Sequence, residues 1–346
     1  MKGRVLLLDR VRGHEAAALM VDGMLQELAI DTGNDLQPGA ICRVVVDRVM
    51  AGQGGCFARL PGGANGYLRG ALRQTPGQSL LAQISSCATE AGKAMTLSQR
   101  LQFRARCVIL TPGAPGLNIS RRIADRTRRA RLTEIATQGM EGADENLGVI
   151  IRSAASVADD AAILQELACE RTLAEKVLAL ADGPPALLLP APSAHELALM
   201  DWLDVPPDEL DDAEGSFATH QVNEAVEAFR AAQVPLAMGG DLWVEPTRAL
   251  VAVDVNTGAD NSPAAGLRTN LAAAQELPRQ LRIRGLGGQV LVDFAPCPKR
   301  DRSQIDRAMK SAFQADRGVS LVGWTALGLY ELTRKRDRLP LSELWP

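Results

Sequence analysis

Two aspartates close apolar runs in the last third of the chain: Asp254 near the end of ALVAVDVNTG, and Asp293 near the end of QVLVDFAP. In open α/β sheets the groups that bind ligands gather outside the carboxyl ends of strands, which is where both of these carboxylates fall. If the two strands are neighbours, a pair of hard oxygen ligands converges. Such a pair holds an octahedral Mg²⁺ that keeps several waters and reaches a substrate phosphate. A metal so placed supplies a hydroxide nucleophile and steadies charge on phosphodiester oxygens during in-line attack. Asn256, two residues after Asp254, projects from the same side of its strand and can orient Asp254 or bond the scissile phosphate. On spacing alone, D-V-N-T-G reads equally well as a strand-ending turn, because Asp, Asn and Gly all favour turns.

Other candidates lie earlier. The run LGVIIRSAA ends in Arg152 and Ser153. A guanidinium fork with a hydroxyl beside it suits a terminal phosphate, although a surface Arg at a strand end is the simpler reading. Phe57 and Tyr67 flank the turn PGGANG, where they stand either on one face of a hairpin, free to stack on unpaired bases, or inside a barrel core. Three basic runs, Arg121 to Arg131, Arg279 to Arg284 and Arg334 to Arg338, suggest a polyphosphate partner despite a net charge of -3. The three histidines, His14, His195 and His220, have no metal-ligand spacing, and neither a nucleophile elbow nor a P-loop occurs. Histidine general-base chemistry is therefore not favoured. The six cysteines are scattered without a CxxC pair, which points to neither a zinc knuckle nor a disulfide framework and fits a reducing cytoplasm.

The elements that must position these residues follow from the hydrophobic pattern. Residues 1–37 predict a strand, VLLLD, and then a helix over AAALMVDGMLQELAI. From Ala40 to Leu97, short β-rich runs separated by Gly/Pro turns predict a small barrel of the OB type. Between Arg100 and Ser156 the order reads strand, Pro/Gly loop, Arg-rich helix, strand. Helices are expected at 158–182, around Leu197 to Leu203 and in HQVNEAVEAFRAAQ. The carboxylate strands enclose a long helix from Leu267 to Arg284, and the chain closes with a helix, the strand VSLVGWT and a last helix running into TRKRDR. At 346 residues and 46% hydrophobic content the chain can bury more than one core, and no apolar run approaches the roughly 20 residues of a membrane span.

The stretch AVDVNTG, followed by TNLAAAQELPRQLRIRGLGGQVLVDF, resembles the catalytic region of the ribonuclease E/G family in spacing and in residue identity. The similarity runs back through GVIIRSA, GLNISRRI and GKAMTL to the hairpin of Phe57 and Tyr67, and weakens between about 158 and 240. It implies an α/β multidomain fold: an RNase H-like domain (1–38 and 158–230) interrupted by an OB-fold RNA-binding barrel (39–98) and a 5′-end sensor region (99–157), then a DNase I-like catalytic domain (231–346). It also implies Asp254 and Asp293 as Mg²⁺ ligands with Asn256 beside them, and Arg152 and Ser153 as 5′-phosphate ligands. Phe57, Tyr67, Lys93, Arg121 and Arg122 become RNA contacts. The implied reaction is hydrolysis of single-stranded RNA to 5′-phosphate and 3′-hydroxyl ends, in RNA processing or turnover.

Three departures from the family pattern stand out: Pro296 where a second Asp is usual, NSPAAGL in place of an acidic patch, and Ala326 where an Arg is usual. They keep open the alternative of a degenerate relative that binds RNA or regulates another nuclease without efficient cleavage; a phosphodiesterase acting on DNA or a small nucleotide is a third reading, because a magnesium carboxylate site does not itself select RNA. The zinc-sharing cysteine element of larger relatives has no counterpart here, so the expectation is no structural zinc, no membrane, and a monomer or a dimer joined in another way.

Overall fold

The first strand, Arg4–Val11, turns at Arg12-Gly13 into His14–Val21, which turns at Asp22-Gly23 into Met24–Ile30. Both turns place two successive residues at positive φ, 53° and 82° in the first and 50° and 78° in the second, the geometry of a two-residue type I′ hairpin. The expected helix over AAALMVDGMLQELAI is therefore two antiparallel strands. Ala, Leu and Met tolerate both conformations, and the Asp-Gly turn decides between them. The computed structural model describes residues 3–71, 73–87, 93–260, 262, 264–316 and 318–345. Contacts divide the chain into two compact units, Met1–Ile30 with Glu209–Pro346, and Asp31–Asp208.

In the first unit the three N-terminal strands take Glu209–Asp211 as a fourth, parallel to Arg4–Val11. Val5, Leu7, Ala18 and Leu28 of this sheet are buried with Phe217, Val226 and Phe229. The expected single helix HQVNEAVEAFRAAQ is two short ones, Ser216–Thr219 and Val222–Ala228, broken by Gln221 at φ 58°. The unit's other sheet has six strands in the order Gln233–Pro235, Asp241–Pro246, Val251–Asn256, Gly288–Asp293, Tyr330–Arg334 and Val319–Trp324. TRKRDR thus begins in a strand rather than ending a helix. Tyr330 and Leu332 are buried at alternate positions, a period of two that the apolar core selects over the helical one.

Among the described residues, only the pair Val251–Asn256 and Gly288–Asp293 is parallel in this sheet, and a parallel pair needs a long crossover. Helix Ala265–Ile283 supplies it, burying Ala273, Ala274, Leu277 and Leu281 against Val253, Val255, Val290 and Val292. Because strand side chains alternate, packing one face under this helix and under Ile305 and Met309 leaves Trp243, Asp254, Asn256 and Asp293 exposed on the other.

The second unit holds a closed barrel of five strands, consistent with an OB-fold: Ile41–Met50, Gly55–Arg59, Asn65–Arg69, Met95–Ser98 and Ser79–Ser86, the last pairing back to the first. Cys42, Val44, Cys56, Ala58, Leu68 and Ile84 fill it. A second core joins the strands Val108–Pro112 and Leu147–Ile151 to helices Arg126–Gly139 and Asp160–Leu178. The 160–178 helix thus shares its core with elements of the 99–157 region, through Ile163, Leu167 and Val177. None of the described helices is long and apolar enough to cross a membrane.

Candidate active site and anion pocket

Asp254 and Asp293 lie directly opposite one another across the parallel pair, at the carboxyl ends of their strands. Like charges facing each other on adjacent strands repel, and a cation between or above them would offset that repulsion. Asn256 donates its Nδ2–H to Oδ2 of Asp254 at 2.8 Å, which fixes that carboxylate and leaves its other oxygen for a ligand. Two exposed carboxylates of hard oxygen donors fit Mg²⁺, which takes few protein ligands and keeps waters. Trp243, 37% exposed, stands opposite Asp254 on the antiparallel side. Trp243, Asp254 and Asp293 therefore form one row across the sheet.

The strand ends are held from behind. Asn270 of the crossover helix is fully buried; its Nδ2–H donates to Ala295 O at 2.9 Å and its Oδ1 accepts from Ala295 N at 2.9 Å. This clasp fixes the backbone two residues after Asp293. Gly266 lies so close to the same loop that a Cβ there would meet Pro296 O at 2.3 Å. Gly240 does the same for the other carboxylate: its φ is +78°, and a Cβ would meet Asn256 O at 2.3 Å. Trp243, Asn270 and Gly240 were not singled out by sequence reasoning. For Asn270 the available signal was a polar residue in the middle of an apolar helix face; for Trp243 there was none, because exposure beside Asp254 depends on strand register.

Arg152 and Ser153 follow the strand Leu147–Ile151 and are both buried. The Arg152 Nη atoms and the Ser153 hydroxyl are already engaged. Arg152 pairs through Nη2 with Asp201 and donates through Nη1 to Ala105 O at 2.7 Å and Met200 O at 3.3 Å. Ser153 donates its hydroxyl to Asp204 Oδ2 at 2.8 Å, and Arg122 Nη1 donates to the same oxygen at 2.7 Å. Arg104 Nη2 reaches both Asp201 oxygens, at 2.8 and 2.9 Å. Burial by itself would raise the Asp201 pKa, but the charges and hydrogen bonds of Arg104 and Arg152 outweigh it and hold the carboxyl below its ordinary value.

Phe57 and Tyr67 face one another across the barrel hairpin, ring centroids 5.3 Å apart, with Arg48 stacked 5.0 Å over Phe57. Both are half-buried on the outer face, alternating with the core residues Cys56, Ala58 and Leu68, so the reading that they fill the barrel is corrected. Tyr67 donates its hydroxyl to Gln53 O at 2.6 Å, which orients its ring. Lys93 is exposed just before the strand Met95–Ser98, and Arg121 is exposed ahead of helix Arg126–Gly139.

Much of the three basic runs is engaged within the fold, leaving Arg121, Arg122 and Arg126 among the exposed members. Arg128 donates to Ala155 O and Ala158 O and pairs with Asp160; Arg129 donates to Ser120 O and Ile123 O. Arg279 pairs with Glu276, and Arg282 and Arg338 pair with Glu27. Arg284 and Arg334 are buried, donating to Ala231 O and Leu286 O. Loop carbonyls and strand ends need donors, and a guanidinium offers five in one group. His220 is likewise placed by the fold, its Nε2 3.0 Å from Asp211, with Glu209 close by, a grouping that spacing along the chain did not reveal.

Strand-end carboxylates thus stand on the open face of an α/β sheet, in one chain with a closed five-stranded barrel. Residues 102–210 and 208–337 match the model of the Ribonuclease E/G family, and the chain belongs to that family. It is 28% identical over 388 residues to a protein named Ribonuclease E from Nostoc sp., an alignment covering 96% of this chain and 56% of that one. It is 30% identical over 299 residues to Ribonuclease G of Escherichia coli, covering 76% of this chain and 60% of the relative. A Ribonuclease E/G-like chloroplastic protein of Arabidopsis thaliana is 35% identical over 130 residues, 35% of this chain and 13% of the relative. The chain thus spans little more than half the length of the longer-matching relatives.

Proposed function

We propose that the chain is a Mg²⁺-dependent endoribonuclease that hydrolyses single-stranded RNA to 5′-phosphate and 3′-hydroxyl ends in RNA processing or turnover. The observation that carries this reading is the in-register placement of Asp254 opposite Asp293, with Asn256 bonded to Asp254. Asp254 and Asp293 would hold the ion. Bound there, Mg²⁺ would polarise a water for attack and offset charge on the phosphodiester. Asn256 orients Asp254, and its remaining amide hydrogen is available to a phosphate oxygen. Trp243, in the same row, offers a ring on which a base next to the cut can stack. The family names ribonucleases among its relatives, and an outer barrel face carrying Phe57, Tyr67 and Arg48 suits a single strand better than a small nucleotide. Lys93, Arg121 and Arg122 are assigned to the RNA backbone, and Arg152 with Ser153 to a terminal phosphate. In this reading the Arg4–Ile30 strands with Glu209–Asp211 belong to the RNase H-like part, and the six-stranded sheet to the DNase I-like catalytic part.

The competing reading, an RNA-binding relative without efficient cleavage, draws on Pro296, whose carbonyl packs at Gly266 where the family pattern has a further carboxylate. One experiment separates them. A 5′-monophosphorylated, A/U-rich single-stranded RNA is incubated with Mg²⁺ and the wild-type chain, Asp254→Asn or Asp293→Asn. Cutting by the wild type alone is expected. Cutting that persists in either variant overturns the site assignment, and binding without cutting by the wild type moves the function to the competing reading.

A further inference from the structure

We infer that Asp201 and Asp204 are specificity-determining residues that fill the terminal-phosphate pocket from within, so that cleavage by this chain is indifferent to the chemical state of the RNA 5′ end. The inference rests on the endoribonuclease reading and on the assignment of Arg152 and Ser153 to a phosphate. Each group that would receive that phosphate already serves a carboxylate of one short segment: Arg152 and Arg104 serve Asp201, and Ser153 and Arg122 serve Asp204. All six residues belong to the same compact unit. Three guanidiniums face two carboxylates, which supply the negative charge that a terminal phosphate would otherwise bring. One buried donor, Arg152 Nε, has no hydrogen-bond partner among the described residues.

Energetics favour the internal anion. A tethered carboxylate competes at an effective concentration on the order of millimolar, and each bond it makes to a guanidinium is charge-assisted. An RNA end present at far lower concentration must displace it and reproduce those bonds. Removing the carboxylates reverses the balance, because Arg152, only 6% exposed, is then a buried cation without a counter-charge. A phosphate dianion supplies one.

The test uses the full chain and two RNAs of identical sequence, one ending in a 5′-monophosphate and one in a 5′-hydroxyl, and reads the ratio of their kcat/KM values. The wild type is expected to give a ratio within about twofold of one, and D201N/D204N a preference for the monophosphate of about tenfold or more, equivalent to roughly 1.4 kcal/mol. Adding Arg152→Ala to that variant is expected to return the ratio to near one. A wild type that already prefers the monophosphate by about tenfold overturns the inference. So does a folded D201N/D204N variant that remains indifferent. A second arm does not depend on cutting: calorimetric binding of a 5′-phosphorylated against a hydroxyl-ended dinucleotide, on Asp254→Asn and on the same chain carrying D201N/D204N. Phosphate-dependent binding gained only by the latter supports the inference even if the chain proves not to cleave RNA, and equal binding by both sinks it. If circular dichroism shows the double variant unfolded, Asp204→Asn alone, whose partner Arg122 is exposed, carries the same comparison.

Discussion

Asp254 carries a single side-chain hydrogen bond from within the described residues, that from Asn256, and the geometry makes a sharp demand on it. Asn256→Ala removes the orienting bond while sparing both carboxylates, so kcat is expected to fall about tenfold, the equivalent of one charge-assisted hydrogen bond, with KM for RNA little changed. A loss expressed wholly in KM would instead make Asn256 a binding group. Asn270 acts one layer deeper. Asn270→Ala leaves the buried N–H and C=O of Ala295 unpaired, a cost of about 2 to 4 kcal/mol, and frees the backbone beyond Asp293. Thermal melting should therefore show a large drop, and an unchanged melting temperature would mean that water replaces the clasp. The DxN spacing made the first pair visible in the sequence. The Asn270 clasp joins residues 25 apart and needed the folded chain to appear.

At the level of elements, the barrel hairpin displays its aromatics outward because the five-stranded closure uses Cys56, Ala58 and Leu68 for the interior. Phe57→Ala should weaken single-strand binding by about 1 to 3 kcal/mol without loss of secondary structure. Unfolding instead of weakened binding would return Phe57 to a packing role. Strand turns govern the other site. Gly240→Ala forces a side chain into a φ of +78° and against the Asn256 carbonyl, so it should cost cleavage more than it costs global stability. Elements with one apolar face and clear turn chemistry, such as the barrel strands, the crossover helix and the two carboxylate strands, were legible from residue order. The hairpin of His14–Val21 with Met24–Ile30 and the strand Tyr330–Arg334 were not, since their residues suit a helix and only sheet partners made them extended.

Across the whole molecule, the charged groups are spent inward more than the composition suggests, and acid should reveal it. Asp201, held below its ordinary pKa by Arg104 and Arg152, contributes stability that is present above its unfolded-state pKa of about 4 and is lost as pH falls through the lower folded value. Urea melts below pH 4 should therefore lose stability more steeply for the wild type than for Asp201→Asn, and parallel curves would deny the depressed pKa. Thiol chemistry should divide in the same way. Burial pushes Cys42 up to about 11, and burial with the Glu166 charge pushes Cys107 up to about 12, whereas Cys169 is exposed. Native-state alkylation near neutral pH should label Cys169 well ahead of both. What residue order determined by itself was local: apolar periodicities, glycine turns, the DxN triplet and the second aspartate at a strand end, each set by interactions a few residues long. Only the tertiary structure decided what those groups meet. Strand register put Trp243, Asp254 and Asp293 in one row, closure of the barrel turned Phe57 and Tyr67 outward, and packing of the chain brought Asp201 and Asp204 onto Arg152 and Ser153, because contacts between distant residues depend on topology that no short window of sequence contains.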